Sequence, residues 1–256
     1  MKLKLQIVNP PTGACREYAK DQDIPITQHI HHRFLRAVEE PTRFRYDLLL
    51  PELARLWGLG NLPPDRFVIP DWEEWPTFDG PFGCEDRDEI IAGYEQVMHF
   101  LAAVQPNNPR SVWGLPRVYE GQTIEQSICN NRGCERLFGL MSFGSPALYL
   151  RGPFVETADV VNFRDRVSRL FEVCGHFNIT PIPQLTHRFI MGGEHDLAVV
   201  PDETLEAVRN TLEMQRVGEA VLWCQDADMR NTLNLTNKEV ADQWVNAVEI
   251  LTRENE

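Results

Sequence analysis

The sequence predicts an α/β chain folded as a (β/α) barrel of the TIM type, with an irregular or incomplete N-terminal part. Three observations lead there. Strand-like and helix-like segments alternate through the C-terminal two thirds, which calls for a parallel sheet joined by right-handed crossovers. The length, 256 residues, is that of one barrel of about 250. No Gly-rich nucleotide loop follows the first strand, where an open doubly wound sheet often carries one. No repeat, low-complexity tract or linker divides the chain, so residues 1–256 are expected to form one domain.

The elements follow in order. Residues 1–8 mix basic and apolar side chains without a sustained apolar core and run into Asn9-Pro-Pro11, which reads as a first strand and not a signal peptide. The expected location is therefore cytoplasmic. The stretch 17–64 is the least regular: 30–38 and 48–59 read as helices, with Phe44-Arg-Tyr-Asp47 as a strand between them. Phe67-Val-Ile69 is a strand that continues through Asp71-Trp-Glu73. Residues 86–104 carry Ile90, Ile91, Tyr94, Val97, Met98 and Leu101 at helical spacing. Short strand-like runs follow at 111–114, at Leu137-Phe-Gly-Leu-Met141 and at Ala147-Leu-Tyr-Leu150. A helix is predicted over 158–177 and a strand over 179–185, then a helix over 202–216 and a strand over 219–224. The last helix opens on Thr236-Asn-Lys-Glu239, a capping-box pattern, and continues through Val240, Trp244, Val248 and Leu251.

Composition removes several functions. With 43% hydrophobic and 25% charged residues the chain can bury a large core. A formal net charge of -13 makes it a poor binder of nucleic acid or anionic membranes. No apolar run reaches the roughly 18 residues of a membrane helix. Cysteines 15, 84, 129, 134, 174 and 224 match no zinc motif and are expected as reduced thiols, although Cys129 and Cys134 are close enough to bridge a loop and Cys15 to meet a distant partner. On a helix His29 and His32 would share a face, but no third ligand follows. They, His31 and His195 therefore read as solvated or substrate-contacting, with no metal. Neither a Gly-x-Ser-x-Gly elbow nor a phosphate loop is present, and no cofactor is implied.

The chemistry-bearing stretch is Phe67-Val-Ile-Pro-Asp-Trp-Glu-Glu-Trp75. Side chains on a strand alternate with period two, so Asp71 and Glu73 point to one side and Trp72 to the other. At the carboxyl end of a barrel strand that side faces the mouth, where barrel active sites lie. Two carboxylates so close cannot both ionise freely, and the one pushed up keeps a proton for a leaving group. Trp72 and Trp75 suit stacking on sugar rings, and equally suit core packing. The same acids also suit a solvated loop. Asp226 and Asp228, past Trp223, stand at another predicted strand end as candidates for sugar hydroxyls, or as helix N-terminal acids.

These residues resemble the hyaluronidases of glycoside hydrolase family 56, which carry a Val-Ile-Asp-Trp-Glu-Glu-Trp strand where this chain reads Val68-Ile-Pro-Asp-Trp-Glu-Glu-Trp75. Shorter islands are similar too: Val8-Asn-Pro-Pro-Thr-Gly-Ala-Cys15, Ser111-Val-Trp-Gly114, Ser145-Pro-Ala-Leu-Tyr-Leu150 and Val217-Gly-Glu-Ala-Val-Leu-Trp223. The resemblance implies a catalytic barrel cleaving N-acetylhexosamine-containing oligo- or polysaccharides. It implies Glu73 as proton donor and then base, and Asp71 as orienting the substrate's N-acetyl group, whose carbonyl oxygen is the nucleophile. It also implies that Tyr149 bonds the acetamido group, that Trp223 walls the pocket, and that Tyr119 is a looser counterpart of a family tyrosine. The chain departs at Pro70, at Pro76 and at Cys224, where the family has an aliphatic residue, an arginine and a glycine. Arg117, Arg151 and Arg188, near predicted strand ends, are candidates to offset the net charge for an anionic glycan. A chitinase-like or muramidase-like barrel, or a non-catalytic glycan-binding barrel, are the alternative readings.

Overall fold

The structure, a computed structural model, describes residues 3–30, 62–70, 87–118, 121–189, 197–223 and 234–254. The chain is an α/β protein, and the strands among the described residues pair in parallel. It divides into two compact units, residues 1–27, 146–171 and 181–256 in the first, 28–145 and 172–180 in the second.

In the first unit, β1 (Lys4–Val8), β5 (Glu219–Trp223) and β4 (Gln184–Thr186) form a parallel sheet with β5 in the middle. Register pairs Val8 with Trp223 and Trp223 with Thr186. Residues in register share a face, so Leu5, Ile7, Leu185, Ala220 and Leu222 line one face, all buried. Gln6, Val8, Gln184, Thr186, Val221 and Trp223 line the other, equally buried. Burial on both faces explains the near-continuous apolar run of β5.

The helices among the described residues of this unit are α1 (Gly13–Asp21), α5 (Thr157–His176), whose last turn belongs to the second unit, α6 (Asp202–Met214) and α7 (Asn237–Thr252). Helix α7 packs on α1, α6 and β1, and its Trp244 is buried edge-on to Tyr18 at 6.2 Å. The predicted capping box at its start is formed in full, Thr236 accepting from the Glu239 amide and Glu239 from the Thr236 amide. The strand predicted over 179–185 is reduced to Gln184–Thr186. Pro181 and Pro183 each lack the amide a ladder needs.

The second unit holds β2 (Gln28–Ile30) and β3 (Val68–Pro70), paired in parallel, with Val68 bridging Arg110 and Trp113 bridging Ser145. Its helices include α2 (Arg87–Val104), α3 (Ile124–Asn130) and α4 (Glu135–Leu140). Its core gathers Ile30, Val68, Tyr94, Met98, Leu101, Val112, Leu137 and Phe138. Leu137-Phe-Gly-Leu-Met141, predicted as a strand, is largely helix α4. An apolar run this short has no period to separate a buried strand from a buried helix. Ile30, placed by the sequence reading at the start of a helix, lies in β2, and so does His29. Pro70 is the last described residue of β3. It stands opposite Ile30, and its carbonyl accepts from the Trp113 amide at 3.0 Å, so it serves the ladder as an acceptor only.

Cys15, Cys129, Cys134 and Cys174 carry thiols and not disulfides. No helix among the described residues is long and apolar enough to cross a membrane.

Candidate functional site

The candidate site is built on the mixed face of the first unit's sheet, at its carboxyl end. Beside β4 runs the extended segment around Ala147: the Gln184 amide donates to Pro146 O at 2.8 Å and the Leu148 amide to Gln184 O at 2.9 Å. This pairing carries Tyr149 along the edge of β4 to the end of β5. There the Tyr149 ring stacks on Trp223, centroids 5.7 Å apart and planes 21° from parallel. Such a pair contributes about 0.5–1.5 kcal/mol beyond its buried area. The Tyr149 hydroxyl donates to Gln184 Oε1 at 3.4 Å, at the long end of the hydrogen-bond range. Two residues named from separate short strings of sequence are thus brought together.

The polar groups of this face have partners. Gln6 donates to Glu219 Oε1 at 3.2 Å and accepts from the Thr27 hydroxyl at 3.4 Å. The Thr186 hydroxyl donates to Arg188 O at 2.6 Å. From α5, Arg166 donates through Nη2 to Ala147 O at 2.8 Å and through Nη1 to Tyr149 O at 3.1 Å.

Arg188 is buried, and its guanidinium donates to Leu197 O at 2.8 Å and to Gln243 Oε1. Its neighbour His187 is buried as well. Burial, and then the positive charge of Arg188, pull the His187 pKa down to about 3. Arg151 is exposed. In the second unit, the Arg117 backbone is bracketed by Asn131, which accepts from its amide at 2.9 Å and donates to its carbonyl at 2.8 Å. Burial pushes the thiol pKa of Cys15 up and that of Cys174 to about 12, so neither is a ready nucleophile.

Asp71, Glu73, Trp75, Tyr119 and Asp226 lie outside the described residues, as do Trp72, Glu74, Asp228, Cys224, His31, His32 and His195. Among the described residues no group of three His, Cys, Asp or Glu is arranged to hold a metal ion.

Sequence reasoning missed Gln184, Thr186 and Arg166. The first two carry a weak signal, polar residues two apart in Pro183-Gln-Leu-Thr186 on a strand otherwise read as core. Arg166 carries none, because an arginine on a helix reads as solvated.

No family model matches the sequence, and no curated protein matches it. Among solved structures the chain is similar to bee venom hyaluronidase. The monoclinic crystal structure of that enzyme matches over 98% of this chain and 100% of its own, with a TM-score of 0.65 at 14% identity. The structure of bee venom hyaluronidase in complex with a hyaluronic acid tetramer matches over 98% of this chain and 99% of its own, again with a TM-score of 0.65 at 14% identity. The chain therefore has a hyaluronidase-like fold.

Proposed function

We propose that this chain is a glycoside hydrolase acting on N-acetylhexosamine-containing glycans, built as one catalytic (β/α) barrel domain. The observation that carries the proposal is the Tyr149–Trp223 stack at 5.7 Å, at the carboxyl end of a parallel sheet. An aromatic wall with a phenolic hydroxyl at its edge suits a sugar ring bearing an amide. The hyaluronidase-like fold supports the same reading.

The chemistry proposed is substrate-assisted and retaining. Glu73 protonates the glycosidic oxygen as the bond to the anomeric carbon breaks. The substrate's acetamido carbonyl oxygen attacks that carbon, so no enzyme carboxylate forms an ester. Asp71 orients the acetamido group and offsets the positive charge it gains. Glu73, now a carboxylate, takes a proton from the water that opens the cyclic intermediate and restores the starting configuration. Trp223 lies under the sugar and Tyr149 bonds the acetamido group, with Tyr119, Trp75, Asp226 and Arg188 as further substrate contacts.

A panel of N-acetylhexosamine glycans, including hyaluronan and chitin oligosaccharides, assayed with wild type and Glu73→Gln tests this. The variant should lose hydrolysis by about 10²–10⁴-fold while it still binds the glycan. Equal activity in the two chains sinks the mechanism. Binding without hydrolysis by the wild type supports the glycan-binding alternative instead.

A further inference from the structure

We propose that Arg166 is a positioning residue for Tyr149, an inference that rests on reading Tyr149 and Trp223 as a sugar subsite. Along an extended segment successive carbonyls point to opposite edges. The edge of this segment facing β4 is occupied, Pro146 O accepting from Gln184 and the Leu148 amide donating to it. The carbonyls of Ala147 and Tyr149 therefore point away from β4, where a neighbouring strand would ordinarily supply amides.

The Arg166 guanidinium supplies donors instead, Nη2 to Ala147 O at 2.8 Å and Nη1 to Tyr149 O at 3.1 Å. A planar guanidinium presents two donors in a fixed fork, so one side chain replaces two ladder bonds. The fork is held by a rigid base. Its neighbours on α5, Phe163, Val167 and Leu170, are buried, and Phe163 packs on Phe154 with centroids 5.6 Å apart. The segment is thus pinned on both edges. The ring of Tyr149 is fixed on Trp223 and its hydroxyl on Gln184. Arg166 reaches the subsite through this backbone, so it acts by placing Tyr149.

The test is a double-mutant cycle of Arg166→Met and Tyr149→Ala, read as kcat/KM on the best glycan of the panel and as near-ultraviolet circular dichroism of the stacked pair. Arg166→Met should lower kcat/KM by about 10–100-fold, the cost of a misplacement near 1 Å. In the Tyr149→Ala background the same change should shift kcat/KM within about two-fold, because the pair act as one unit. The dichroism of the stack should weaken in Arg166→Met and already be absent in Tyr149→Ala. Arg166→Lys, whose ammonium meets one carbonyl, should show an intermediate loss that again vanishes in Tyr149→Ala. It serves if Arg166→Met does not fold. Equal losses in both backgrounds, or unchanged dichroism in the Arg166 variants, overturn the proposal. A wild type that neither binds nor cleaves any glycan overturns the sugar reading alone, and the dichroism still decides the clamp.

Discussion

Replacing His187 with phenylalanine removes a titration that burial has displaced into acid. The imidazole is 1% exposed, and neither ring nitrogen has a hydrogen-bond partner among the described residues. Enclosure and the Arg188 charge hold its pKa at about 3, against 6.5 for the free side chain. Above 6.5 both folded and unfolded chains keep the ring neutral, so the full stability is present there. Between 6.5 and about 3 only the unfolded chain takes up the proton, so stability falls as pH falls through that window. The slope is about 1.4 kcal/mol per pH unit, and the loss at about pH 5 is about 2 kcal/mol. His187→Phe keeps a flat ring, somewhat larger than the imidazole, that does not titrate. Because the nitrogens it replaces have no partners among the described residues, the change forfeits no hydrogen bond seen there, and any packing cost of the larger ring is the same at every pH. Urea unfolding of the two chains at about pH 7.5 and about pH 5 should show their stabilities separating by about 2 kcal/mol over the interval. Carboxylates titrate alike in both chains and cancel in the difference. NMR of the labelled imidazole should show no titration of His187 in the folded chain over that range. Parallel stability curves, or a ring that titrates near 6.5, would refute the reasoning.

Two further changes test packing and capping. A Cβ at Gly144 would stand 2.8 Å from Pro116 Cδ, 3.2 Å from Ile179 Cδ1 and 3.3 Å from Cys174 Sγ, with little free space between them. Gly144→Ala should therefore destabilise the second unit by about 1–3 kcal/mol, read as a fall in its melting temperature. An unchanged melting temperature means the three neighbours can give way. Thr236→Ala removes the hydroxyl that caps α7 at the Glu239 amide, 3.2 Å away. It should cost about 1 kcal/mol, with Thr236→Ser close to neutral, and speed amide exchange in the first turn of the helix. Unaltered exchange there would mean that Glu239 alone holds that end.

The parts of the fold legible in the sequence are those with a long period or a strong terminal signal. The helix predicted over 158–177 is observed as Thr157–His176, because Val167, Leu170 and Val173 repeat on one buried stripe. Helix α7 announced itself through Thr236 and Glu239. The failures have local causes. Leu137-Phe-Gly-Leu-Met141 is too short for its period to be read, and Pro181 and Pro183 cut a strand that its apolar residues alone would have continued. Helix α1 was overlooked because only Cys15 and Ala19 of it are buried, which gives no apolar period. Its signal was Thr12, whose hydroxyl accepts from the Cys15 amide. Helix α3 carried a readable capping box in Thr123 and Gln126. At the site, Tyr149 and Trp223 came from short strings that resemble a family and not from periodicity. Gln184 and Arg166 act through pairings between segments distant in sequence, and no window along the chain contains both partners.

The two faces of the β1-β5-β4 sheet make the final distinction between what stabilises this unit and what equips it. Both faces are buried, yet one is filled by Leu5, Ile7, Leu185, Ala220 and Leu222 while the other carries Gln6, Gln184 and Thr186. A buried amide or hydroxyl left without a partner costs about 1–3 kcal/mol. Each of these three escapes that cost, through Glu219 and Thr27, through Tyr149, and through the Arg188 carbonyl. Escaping a cost is not a gain, since an apolar side chain at the same position would add about 1.5–3 kcal/mol by burial. Stability alone would fill this face with apolar side chains throughout, as it fills the opposite one with leucine, isoleucine and alanine. The polar residues are therefore better explained by what they hold in place. Gln184 accepts from the Tyr149 hydroxyl and Thr186 stands in register with Trp223, so two of the three polar residues flank the aromatic pair at the carboxyl end of the sheet.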